Sequence, residues 1–185
     1  MSPRSSVPAK ATGYVRPVRR GAASGKGLSF EGSNEGAGLS IGVVLSRFNP
    51  EIGERLLDGA RRALAEAGVR PRDVDEVRVP GAFELPWTAR AMARSKRYDA
   101  IVCLGAVVRG GTPHFDFVAG ESARGIARVS EETGVPVLFG VLTTNTMEQA
   151  MERSGGPMGN RGADAALAAV EMARLARALR AEYGR

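Results

Sequence analysis

From Leu39 onward the chain alternates two patterns: apolar runs of five to nine residues, and longer stretches whose apolar positions recur at helical spacing. Residues 41–45, 74–79, 100–108 and 135–142 read as strands, near-continuously apolar as parallel strands covered on both faces should be. Residues 52–67 set Ile52, Leu56, Leu57, Ala60, Leu64 and Ala67 on one side and Arg55, Asp58, Arg61, Arg62 and Glu66 elsewhere, the pattern of an amphipathic helix. Residues 84–96, 116–133, 146–153 and 163–181 repeat it. Such alternation predicts an α/β domain, a three-layer αβα sandwich on a four-stranded parallel sheet joined by right-handed crossovers. Leu28-Ser29-Phe30, an apolar alternation between glycines, adds a short edge strand too small to stand alone.

In an open parallel sheet ligands bind beyond the carboxyl ends of the strands, which directs attention to four loops. After the first strand, Phe48 either stacks on a planar ligand or plugs the top of the sheet. After the second comes Val79-Pro80-Gly81-Ala82-Phe83-Glu84, where Glu84 either complements a helix dipole or accepts ligand hydroxyls, with Ala82 and Phe83 offering backbone contacts to a heterocycle. The third loop, Arg109-Gly110-Gly111-Thr112-Pro113-His114-Phe115, holds the chain's single histidine. Backbone N–H groups of Gly111 and Thr112 near a helix start can seat a phosphate. Histidine is the side chain that ordinarily changes charge near neutral pH, so His114 is either a proton carrier or a satisfied histidine at a helix start. The fourth strand leads to a helix bearing Glu148, Glu152 and Arg153. Arg153 is either a forked phosphate donor or half of a surface ion pair.

Composition narrows the classes. A length of 185 residues suits one domain, residues 28–185, after a tail, residues 1–27, too poor in large apolar groups to order itself. The net charge is +6, but residues 1–38 hold six basic groups against Glu31 and Glu35, leaving the remainder near +2. The basic balance therefore belongs to the tail, and nucleic acid is disfavoured as a partner of the folded part. No stretch has the length of a membrane span and no secretory pattern follows the basic start, so a cytoplasmic location is expected, with organellar targeting by the tail left open. One cysteine, Cys103, inside an apolar run, and one histidine argue against a metal site.

Taken in order, Arg47-Phe48-Asn49, Val79 to Glu84, Gly105 to Asp116, Phe139-Gly140-Val141-Leu142-Thr143, Arg153 and Gly159-Asn160-Arg161-Gly162 resemble the 6,7-dimethyl-8-ribityllumazine synthases of riboflavin biosynthesis. The resemblance runs from about Leu28 to Leu179 and implies the flavodoxin-like form of the sandwich. It implies condensation of 5-amino-6-(D-ribitylamino)uracil with 3,4-dihydroxy-2-butanone 4-phosphate, with no cofactor and no metal. Carried over residue by residue, Phe48 would stack on the pyrimidine, while Ala82, Phe83 and Glu84 would hold its uracil edge and ribityl chain. Ala106, Val107 and Val108 would line the pocket, Gly111, Thr112 and Arg153 would seat the phosphate, and His114 would shuttle protons. Phe139, Arg153 and Arg161 would complete a pocket built mainly by an adjacent chain, because the family forms homopentamers. Some members close twelve pentamers into a sixty-subunit shell, and the link from Ser154 to Asn160 resembles the short form found there.

The resemblance also implies a functional link to riboflavin synthase, and it places residues 28–30 in the sheet of a neighbouring subunit. Two positions depart from the family's habit: Gly111 stands where an acidic residue is common and Arg161 where a lysine is common. The competing readings are an archaeal-type riboflavin synthase on the same fold, and a non-catalytic flavin- or lumazine-binding scaffold whose basic arm contacts RNA.

Overall fold

The computed structural model describes residues 27–184. The expected tail lies outside them, apart from Gly27. Four strands, β1 (Ile41–Ser46), β2 (Val74–Val79), β3 (Ala100–Val108) and β4 (Val137–Thr144), form a sheet in the order β2-β1-β3-β4. Every pairing in it is parallel. Five helices connect and flank the strands: α1 (Pro50–Glu66), α2 (Leu85–Arg94), α3 (His114–Thr133), α4 (Met147–Arg153) and α5 (Arg161–Tyr183). A small antiparallel pair, β5 (Ser154–Gly156) with β6 (Gly159–Asn160), joins α4 to α5.

The period-two geometry of a strand sorts the core into two halves. Ile41, Val43 and Leu45 of β1 and Ala100, Val102 and Leu104 of β3 face α1 and α5. Val44, Ile101 and Cys103 point the other way, against α2 and α3. Both central strands must therefore be apolar at successive positions. The expectation that all four strands share this character fails for β2, whose sequence alternates Val74, Val77 and Val79 with Asp75, Glu76 and Arg78 and stays half-exposed. It is an edge strand, and its charges pair with α1: Glu76 with Arg61 at 2.6 Å, Arg78 with Glu54. Charged edges of this kind resist strand addition.

Element boundaries shift for identifiable reasons. Pro136 has no N–H to give the ladder, so β4 starts at Val137, two residues later than expected, and runs on to Thr144. Pro113 serves as N-cap of α3, which begins at His114 rather than Asp116. α5 begins at Arg161 rather than Ala163 because the Asn160 carboxamide accepts the N–H groups of Gly162 and Ala163, at 2.9 and 3.1 Å. Asn160 Nδ2 also donates to the Arg55 carbonyl at 2.8 Å, tying α5 to α1. Contact is tightest at Gly162, where any Cβ would collide with the Leu56 carbonyl.

Leu28 to Phe30 forms no strand of the sheet. Ser29 makes an isolated bridge and Phe30 packs edge-on against Tyr183 of α5, with ring centroids 5.7 Å apart. The following segment is clamped to the body by Arg174, which donates to the Glu35 and Ala37 carbonyls, and by Arg177, which donates to Gly38 and Asp99. No helix among the described residues is long and apolar enough to cross a membrane.

Candidate active site

The strand order reverses between β1 and β3, with β2 added on one side of β1 and β3 and β4 on the other, the switch point where open parallel sheets leave a crevice. Asn49 spans that crevice. It sits in the left-handed region with φ 55°, a conformation asparagine tolerates better than most residues, and its Nδ2 donates to the Ala106 carbonyl at 3.0 Å. The turn it makes leaves the neighbouring Phe48 ring 69% exposed, so Phe48 lines an opening and does not plug the sheet.

That opening is a pocket of about 580 Å³ on the α2 and α3 side, within the range usual for small-molecule sites. It gathers Phe48, Ala82, Phe83 and Glu84, together with Ala106 to Val108 at the end of β3, and Thr112 and His114. A 3-10 turn at Ala82–Glu84 precedes α2, and the Glu84 carboxylate makes no capping bond to that helix. Glu84 stands at the N-cap position of α2, where its charge complements the helix dipole, and it also lines the pocket. Among the described residues the imidazole of His114 has no hydrogen-bond partner. It occupies the first position of a 20-residue helix, where backbone N–H groups and the positive end of the dipole attract anions. Gly111 precedes it in the open: a Cβ there would meet nothing within 4 Å. No close approach therefore requires glycine at that position.

Phe139, Arg153 and Arg161 are absent from this pocket. They lie along the exposed edge of β4, in a second pocket of about 570 Å³ between β4, α4 and α5, together with Thr143, Gln149 and Asp164. The two pockets share no lining residue. Arg153 donates to the Gln149 carbonyl at 3.0 Å and pairs with Glu152 at 3.1 Å, and Arg161 pairs with Asp164 at 2.8 Å. The two ion pairs are exposed, so either guanidinium can exchange its carboxylate for a stronger anion at little cost.

A scan against protein families matches residues 38–177 to the family described as 6,7-dimethyl-8-ribityllumazine synthase. The 6,7-dimethyl-8-ribityllumazine synthase of Desulfotalea psychrophila is 55% identical over 150 residues, which span 81% of this chain and 97% of that protein. The chain belongs to the lumazine synthase family.

In this lumazine synthase fold, sequence reasoning missed Phe117 and Val118, which complete the first pocket from α3. The signal was present, since they follow His114 at the helical spacings of three and four. It also missed Gln149 and Asp164 on the second pocket, for which the apolar pattern carries no mark. No group of three or more His, Cys, Asp or Glu side chains able to hold a metal ion occurs among the described residues.

Proposed function

We propose that the two pockets are complementary halves of one lumazine-forming site, each chain joining its His114 pocket to the β4-edge pocket of a neighbour. The reaction of the family is the condensation of 5-amino-6-(D-ribitylamino)uracil with 3,4-dihydroxy-2-butanone 4-phosphate to 6,7-dimethyl-8-ribityllumazine, the penultimate step of riboflavin biosynthesis. One observation carries the shared-site reading: the ring-stacking, hydroxyl-accepting and proton-carrying residues line one pocket, whereas Arg153, Arg161 and Phe139 line another.

Phe48 stacks on the pyrimidine, and Glu84 accepts from the ribityl hydroxyls. Ala82, Phe83 and Ala106 to Val108 shape the slot. Gly111 and Thr112 present backbone N–H groups to the phosphate, and Arg153 of the neighbouring chain closes on it, with Arg161 adding charge. Phe139 of that neighbour covers the ring. His114 carries protons between the amine, the carbonyl and the leaving phosphate as the imine forms and the ring closes. The larger part of the acceleration comes from holding two reactive partners together.

Phe48, Phe83 and Phe117 line the first pocket and stay exposed, and Trp87 of α2 is 76% exposed. An apolar patch of this kind marks an interface. Joining one pocket to a different pocket is a head-to-tail contact, which gives a ring where the rotation closes, and the ring proposed here is the homopentamer of the family. Residues 28–30 extend to the neighbour's sheet, and twelve pentamers make the larger shell. The assembly works in the cytoplasm and hands its product to riboflavin synthase. The test is a two-substrate assay read by lumazine fluorescence, with sedimentation on the same sample. Lumazine formation by a ring-sized species supports the reading; an active monomer would overturn the shared site.

A further inference from the structure

We propose that Arg109 is a positioning residue: it locks the His114 loop to the loop that carries α4, so that the half-site a chain keeps and the half-site it lends hold one geometry. The proposal rests on the two-half-site reading above. Arg109 follows β3, and its backbone N–H extends the ladder to the Thr144 carbonyl at 2.9 Å. Its side chain then bridges two loops. The guanidinium donates to both Asp116 carboxylate oxygens, at 2.9 and 3.3 Å, and lies 4.0 Å from the centroid of the Phe115 ring. Both partners belong to the first turn of α3, beside His114. From its other side, Nε donates to Asn145 Oδ1 at 3.1 Å, in the loop after β4.

The connection continues toward the second pocket. The Asn145 N–H donates to Gln149 Oε1 at 2.9 Å, and the Gln149 carbonyl accepts from Arg153 at 3.0 Å. An unbroken line of bonds thus runs from Asp116, next to the proton carrier, to the arginine that reaches the neighbour's substrate. Only a planar fork can stack on Phe115, pair with Asp116 and turn its Nε toward Asn145 at once; an ammonium cannot.

Stability alone does not account for this arrangement. The Arg109 and Asp116 side chains are 42% and 61% exposed, and ion pairs in that setting contribute little to folding. The hydrogen bonds from Arg109 do hold the Asp116 carboxyl below its ordinary range. What the fork supplies is direction: catalysis by proximity loses about 100-fold for a misplacement on the order of 1 Å.

The test compares R109M, R109K, N145A and N145D in the assembled full-length protein, measuring kcat and KM for each substrate, melting temperature and sedimentation. R109M and R109K should lower kcat/KM for the phosphate substrate by about 10-fold to 100-fold while KM for the pyrimidine changes by less than about twofold. N145A should lose about 10-fold, and N145D, which restores an acceptor for Nε, should recover to within about threefold of wild type. Assembly and melting temperature should stay near wild type. Wild-type rates in both R109M and N145A would overturn the proposal, as would an N145D enzyme as slow as N145A. If R109M fails to fold, the Asn145 pair decides alone. A wild-type protein that makes no lumazine would instead overturn the function proposed above, and is distinguished by that control.

Discussion

Asn49 and Ala106 are joined across the switch point of the sheet, the asparagine carboxamide donating to the alanine carbonyl at 3.0 Å from a left-handed backbone. The bond fixes the turn that presents Phe48. Asn49→Ala removes the donor and strains the turn, so a loss of about 1–2 kcal/mol is expected from urea denaturation. Asn49→Gly keeps the turn without the tie. It should lose less stability than the alanine variant yet raise the KM for the pyrimidine, and equal behaviour of the two variants would show that the tie is idle.

Complementation tests the division between His114 and Arg153. His114→Ala alone should slow turnover by about 10-fold to 100-fold, since proximity survives, and Arg153→Ala should cost more by releasing the phosphate. When the two slowed variants are dissociated, mixed equally and reassembled, about a quarter of the interfaces should regain both groups, assuming random head-to-tail assembly. Activity no higher than the sum of the separate variants would place both residues in one chain's site.

The core of the fold was legible in the sequence because β1, apolar from Ile41 to Leu45, and β3, apolar throughout, are buried on both faces and call for helices on each. β2 was misread because its alternating Val and charged residues belong to an edge, and an edge is a property of strand order that no local pattern states. At the site, pattern alone left Phe48 between stacking on a ligand and plugging the sheet, and its 69% exposure decided against the plug. The separation of Phe48 and His114 from Arg153 follows from β4 lying at the far edge, and the resemblance anticipated it where the pattern of polar positions could not. The Asn145 and Gln149 connections left no trace in the sequence, since exposed polar residues after a strand are ordinary.

Asn160 and Gly162 make a local prediction about stability. Asn160→Ala unties α5 from α1 and leaves two helix N–H groups without their cap, which should cost about 1–2 kcal/mol in chemical denaturation. Gly162→Ala should cost more, because the new methyl collides with the Leu56 backbone and the helices must separate. An unchanged urea midpoint for Gly162→Ala would contradict the close approach.

Cys103 lies fully buried in β3, where burial pushes its thiol up to about 12. A thiol reagent at pH 8 should therefore leave the native protein unlabelled and react at once in denaturant. Rapid labelling of the folded protein would mean that the central strand opens locally.

Acid should weaken the fold gently. Hydrogen bonds from Arg78 and Arg109 depress the carboxyls of Glu54 and Asp116 below their ordinary values of 4.5 and 3.8. Their stabilisation is fully present above those values and is lost as pH falls through the lower folded values. The pairs are exposed, so the effect is shallow: urea midpoints should show no dependence on these groups above about pH 5 and decline below about pH 4. Glu54→Gln should make that decline shallower, and an unchanged slope would show that the pair does not titrate with folding.

In the shared site proposed above, the disjoint pockets of one chain make the interface, and not the subunit, the unit of activity. An open string of chains wastes one half-site at each end, whereas a closed ring wastes none. That proposal makes rate per milligram depend on how much protein is present: dilution below the dissociation constant of the ring should extinguish turnover while every chain stays folded, and adding back catalytically dead chains that still carry a sound β4 edge should rekindle it.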